Sequence, residues 1–343
     1  MLRELRPKSR LEHLPAEIIQ EIFLRCLDLN LPRASIYLGR ALSNPTLYTW
    51  LVRLAFAKAD GDGKRFLTQH FLPPLDSVSW IGNDELKELR TQILECRWCT
   101  LPLIRSCQLA FLEHVFRYQQ PEFEVIPDDS HLLDGFAGWF DNLKPYANSS
   151  NGQRGEIDLI LRANRPGRGE SDASNPKASH DYNVAVWFNL GIVEVLAAGL
   201  TQCSGKIYFE FPYCEGSPLP NKLLRAPWTE EKLEFLQLLS TRAFLDRDTD
   251  CHLATRTLRN LIRDRDFGTF ARLLGMHVRF ECYAFPVPWP SNSVVFRAAL
   301  KYADEYDDPF VRLLVEERWG DIEPGDLGLK EALMRKMLTL GYA

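Results

Sequence analysis

The chain lacks an apolar stretch long enough to cross a bilayer. Its most apolar segment, Val186 to Leu200, contains Asn189, Gly191 and Glu194, whereas a spanning helix needs about 20 predominantly apolar residues. Basic charge is not in excess: 41 Lys and Arg stand against 46 Asp and Glu, a net charge of −5. That balance argues against wholesale binding to nucleic acid or an anionic membrane, both of which favour basic surfaces. Cysteine is scarce, 8 in 343 residues, without the dense spacing of a secreted disulfide framework. Several cysteines sit in apolar helical patterns, as Cys26 does in Ile22-Phe23-Leu24-Arg25-Cys26-Leu27, and read as reduced, buried thiols. The basic segment Met1 to Arg10 is not followed by a continuous apolar run, so no secretory signal is visible. These absences predict a cytoplasmic or nuclear protein whose Asn148-Ser149-Ser150 sequon is unused.

Catalytic motifs are missing too. There is no phosphate loop, dinucleotide glycine pattern, zinc-protease helix or nucleophile elbow. Gly61-Asp62-Gly63-Lys64 and Gly167-Arg168-Gly169 lack the strand-to-helix context that such motifs require, and the former also lacks the spaced ligands and terminal Glu of a calcium loop. The 7 histidines are scattered; only His131 and His252 are flanked by acids. The expectation is a non-enzyme without cofactor or metal.

What remains is an ordinary globular composition, 45% hydrophobic and 25% charged. At about 150 residues per domain the length allows roughly two domains or one large one, and such a chain can bury a sizeable core unaided. Apolar residues at 18, 19, 22, 23, 26 and 27 mark one buried helix face after Pro15. Asn30-Leu31-Pro32 opens a second helix through Leu42, and Ser43-Asn44-Pro45 a third. Helical patterns follow at 84–99 and 101–118. Strand-length runs appear at Ile157–Leu161, Asn183–Trp187, Ile192–Leu196 and Lys206–Phe211, punctuated by Gly191, Gly199 and Gly205. Helices return at 229–244, 250–265, 267–275, 293–303, 308–318 and 326–340. The predicted fold is mainly α with a small α+β section. A three-helix module at 10–58 leads into a large mainly helical domain at 64–343, which holds a short antiparallel sheet and a flexible loop at 164–181.

The segment Leu14-Pro15-Ala16-Glu17-Ile18-Ile19-Gln20-Glu21-Ile22-Phe23 resembles the start of an F-box: Leu-Pro, an acidic residue, two aliphatics, then Glu-Ile and another apolar residue. The resemblance spans residues 10–55. It implies that Leu14, Pro15, Ile18, Ile19, Ile22 and Phe23 face the Skp-type adaptor of a cullin–RING ubiquitin ligase. A Pro-started helix with large aliphatics suits such docking, because it can lay them into a groove. The second half departs from the pattern: Leu38-Gly39-Arg40-Ala41-Leu42-Ser43 stands where F-boxes carry a Val-Ser-Arg-Arg-Trp-like segment, and Trp50 falls late. The rest, including Cys96-Arg97-Trp98-Cys99-Thr100-Leu101-Pro102, looks like the F-box-like proteins of filamentous fungi. The resemblance implies an adaptor that holds a protein client near the ligase, with no membrane or nucleic-acid partner. The plainer alternative is a scaffold unrelated to ubiquitin, with the N-terminal helices as an integral cap.

Three other features have bland readings. Cys96, Cys99 and Cys107 with His114 could supply four zinc ligands, but no second C-x₂-C or H-x₃-H pair follows. Arg256, Arg259, Arg263 and Arg265 follow helical spacing opposite Leu258, Leu261 and Ile262, as on an exposed helix face. The acidic run Asp304 to Asp308 suits a solvated face or a helix start.

Overall fold

A computed structural model describes residues 9–57, 70–73, 81–118, 123–143, 156–165, 180–198, 207–247, 251–283, 285–304 and 308–339. The sequon, the fragments at 61–64 and 167–169 and most of the 164–181 loop lie outside these residues. The chain is mostly helical with a five-stranded antiparallel sheet. No helix among the described residues is long and apolar enough to cross a membrane. Two compact units form, Met1–Pro145 with Glu156–Cys214, and Tyr146–Gly155 with Glu215–Ala343.

The first unit runs α1 (Ala16–Cys26), α2 (Leu31–Ala34), α3 (Ile36–Leu42), α4 (Pro45–Phe56), α5 (Asn83–Glu95), α6 (Leu101–Tyr118), β1 (Glu124–Val125), α7 (Pro127–Ser130), α8 (Phe136–Asp141), β2 (Leu159–Asn164), β3 (Tyr182–Trp187), β4 (Ile192–Ala197) and β5 (Ile207–Glu210). The N-terminal helices therefore share a unit with the sheet, and α4 packs against α5 and α6. Strands pair in chain order, each antiparallel to the next. Register places Val184 opposite Val195 and Val186 opposite Val193, so these four share a face. Ala185, Trp187, Ile192 and Leu196 form a buried cluster on the other face. Burial on both faces is why β3 and β4 read as nearly unbroken apolar runs, whereas β2 alternates, with Ile160 exposed and Leu161 and Ala163 buried.

Helix α6 buries Leu101, Ile104, Gln108, Phe111, Leu112 and Val115, a stripe spaced at three and four residues. Polar bonds fix its height on the sheet. Arg105 donates to the Asn189 carbonyl at 2.6 Å and to Asn189 Oδ1 at 2.7 Å. Gln108 donates to the Phe211 carbonyl at 3.0 Å. Between β3 and β4, Gly191 has φ +63°, and a Cβ there would lie 2.0 Å from that same carbonyl oxygen. Only glycine fits both the turn and the approach.

The second unit holds α9 (Glu230–Ser240), α10 (His252–Arg263), α11 (Phe267–Leu274), β6 (His277–Val278), β7 (Val287–Pro288), α12 (Ser293–Tyr302), α13 (Pro309–Arg318) and α14 (Leu327–Thr339). Side-chain caps explain the starts: Thr229, Asp266, Asn292 and Asp308 each accept a backbone N–H from the first turn. Helix α10 packs on α11 and α12, and α12 on α13 and α14. Arg256, Arg259 and Arg263 are exposed along α10. Arg265 leaves that stripe: its φ of +59° ends the helix, and its guanidinium pairs with Asp304 and Asp308.

Three predicted helices change length, and the one predicted over 229–244 ends at Ser240, because Phe244 instead forms β-bridges to Pro218 and Arg279. The segment opened by Leu31 is split at Ser35, which is extended (φ −156°, ψ 161°) and caps α3 by accepting from Leu38 N at 3.2 Å. The helix predicted over 84–99 stops at Glu95, because Cys96 is extended and turns the chain towards α6.

Candidate functional site

The residues singled out for docking lie on and before α1. Pro15 is extended and sets the helix going, with Ile19 N donating to its carbonyl at 3.1 Å. At the far end Leu27 adopts a left-handed conformation (φ 52°) and donates to the Phe23 carbonyl at 2.7 Å, which closes the helix. Between these ends the apolar stripe divides. Ile19 and Phe23 are buried, 0% and 2% exposed, together with Leu24. Pro15 and Ile18 are exposed, while Leu14 and Ile22 are half-buried. Helical geometry explains the split: positions 19 and 23 are four apart on one face, and 14, 18 and 22 follow the neighbouring row.

Helix α3 completes the surface. Gln20 donates to the Ala41 carbonyl at 2.8 Å, and the Tyr37 hydroxyl donates to the Leu14 carbonyl at 3.4 Å. These bonds bring the start of α3 beside the start of α1. There Ile36 is 78% exposed, Tyr37 38% and Ile18 42%. Leu38 and Leu42 point inward. The outward set is therefore Leu14, Pro15, Ile18, Ile22, Ile36 and Tyr37. Sequence reasoning missed Ile36 and Tyr37, because an apolar residue directly after a cap could face either way. The Ser35 cap was the available signal, since it fixes where the helical phase begins.

Helix α4 follows α3 and packs on α5 and α6. Asn44 accepts from Thr46 N at 2.9 Å, and Leu47, Leu51, Val52, Leu54, Ala55 and Phe56 are all buried. A groove of about 440 Å³ lies beside it, lined by Arg33, Leu42, Tyr48, Arg97 and Trp98, with the Tyr48 and Trp98 rings stacked at 4.3 Å. Its lining mixes apolar side chains with Arg33 and Arg97 and with Glu95 and Cys96.

The cysteines do not assemble. Cys96 donates to the Gln92 carbonyl at 3.3 Å, Cys99 and Cys107 are buried, and Cys26, expected to be buried, is exposed at the end of α1. Among the described residues no group of three or more His, Cys, Asp or Glu is arranged to hold a metal ion. The two acid-flanked histidines stand apart: His131 lies near the Asp129–Arg162 pair, and His252 opens α10 on the surface.

Comparison with known proteins adds no relative: no protein-family model matches the chain, and neither a curated protein nor a solved structure matches it.

Proposed function

We propose that the chain is a non-enzymatic adaptor of the F-box-like kind, with the α1–α3 surface engaging a Skp-type ubiquitin-ligase adaptor and the remainder holding a protein client. In this role it works in the cytoplasm or nucleus. One observation carries the reading: Ile18, Ile36 and Tyr37 project from a firmly seated helical pair, next to half-buried Leu14 and Ile22. Burying a fully exposed isoleucine side chain contributes about 1.5–3 kcal/mol, and only what exceeds the cost of association appears as affinity, so Leu14, Ile22 and Tyr37 must share the contact. The sequence motif points to the same surface. Ile19 and Phe23 then act from beneath, holding α1 at the height from which Ile18 reaches outward.

A second reading has its own support. The burial of Ile19 and Phe23, and the packing of α4 on α5 and α6, suit an integral cap on a scaffold unrelated to ubiquitin. The two readings separate on an Ile18→Asp, Ile36→Asp double variant. Both side chains are exposed, so the fold tolerates carboxylates there, while a docked interface would trap them without partners. The adaptor reading expects adaptor capture by the wild type and at least a tenfold loss in the variant, measured by titration with purified adaptor. The cap reading expects no capture by either chain.

A further inference from the structure

A second concave feature of the first unit lies beside α6, apart from the docking surface. Its volume is about 230 Å³, and its wall includes Arg53 of α4, His70 and Phe71, and Glu113, His114, Arg117 and Tyr118 of α6. Two arginines and two imidazoles thus face one carboxylate.

Arg53 is the telling residue. Its guanidinium lies over the Phe71 ring, 5.0 Å from the centroid, and its buried Nε has no hydrogen-bond partner. The Cys107 thiol hydrogen-bonds the Arg53 side chain but does not offset its charge, because burial pushes the thiol pKa up to about 11. No carboxylate among the described residues pairs with Arg53 or Arg117. A buried N–H left without an acceptor is uncommon and needs an explanation. An anion in the cavity would instead meet the Arg53 and Arg117 guanidinium charges, which line its wall.

The rings around it are held in place. Tyr118 packs on His114 at 4.7 Å and on His70 at 5.9 Å, and Phe71 packs on His114 at 5.2 Å. We propose that this cavity binds a small oxyanion: a phosphate monoester or a carboxylate carried on a compact organic body. A guanidinium fork matches both groups in two-point geometry. The imidazoles add donors, and Phe71 and Tyr118 give the organic part an apolar wall. The volume lies below the ~300–1,000 Å³ of drug-sized sites and matches a small ligand. Glu113 works against the anion and is outnumbered by the two arginines.

The test is titration calorimetry on the full chain at constant ionic strength, with inorganic phosphate, phenyl phosphate and benzoate as probes. At least one probe is expected to bind saturably with one site. A preference for phenyl phosphate identifies the phosphate monoester, and a preference for benzoate the carboxylate. Arg53→Gln is expected to remove binding. Because Arg53 also packs on Phe71, Arg117→Gln on the exposed side of α6 is the second variant, expected to weaken binding roughly tenfold with an unchanged melting temperature. No saturable binding of any probe up to about 10 mM, or equal affinity in wild type and Arg117→Gln, overturns the proposal.

Discussion

Gly191 shows how one residue fixes the contact between α6 and the sheet. A methyl group there meets the Phe211 carbonyl oxygen at 2.0 Å and Gln108 Nε2 at 2.3 Å, and the backbone is left-handed. Left-handed strain costs about 1–2 kcal/mol and overpacking about 1–3 kcal/mol, so Gly191→Ala should destabilise by roughly 2–5 kcal/mol. A lowered urea midpoint in circular dichroism checks this. Asp129 works differently. Hydrogen bonds from the Arg162 side chain, at 2.6 and 3.1 Å, hold its carboxyl below the usual carboxylate range, and the Arg162 backbone N–H adds a third. A carboxylate whose pKa is lowered by folding contributes stability that is complete above its unfolded value, near 4. That contribution is lost as pH falls through the folded value. The melting temperature should therefore drop as pH falls below about 4, and Asp129→Asn should flatten that part of the profile. An unchanged profile in the variant would show that other groups govern acid stability.

At the scale of elements, caps did most of the specifying. Thr229, Asp266, Asn292 and Asp308 each cap the start of a helix in the second unit. Asp308 does more than the sequence told. It is fully buried, accepts from Phe310 N and Val311 N at 3.1 Å each, and pairs with Arg265 at 2.7 Å. Asp308→Ala removes a cap and leaves a guanidinium only partly paired, through Asp304. A loss of about 2–4 kcal/mol is expected, measured by urea unfolding. The sheet strands β2 to β5 were legible as short apolar runs, in β3 and β4 because both faces are largely buried. The pairs β1 and β6–β7, and the short helices α7 and α8, were not: two to six residues carry too little periodicity to register. The orientation of Ile36 escaped for a related reason, since the phase of α3 depends on the break at Ser35.

For the molecule as a whole, the sequence showed which residues of the N-terminal helices are apolar but not which of them are spent on the core. Ile19 and Phe23 hold α1 down; Ile18, Ile36 and Tyr37 remain outside. That division makes the account testable by stability as well as by binding. Ile19→Asp buries a carboxylate without a partner and should unfold the first unit, a loss of several kcal/mol visible as a collapsed melting temperature. Ile18→Asp should leave the melt within about 0.5 kcal/mol of wild type. The most direct measurement is a binding titration of the full chain and its Ile18→Asp, Ile36→Asp variant against a purified Skp-type adaptor, with thermal melts alongside. The account predicts saturable binding by the wild type and at least a tenfold loss in a variant that melts unchanged. A wild-type chain that does not bind the adaptor, or a variant that binds it equally well, would contradict it.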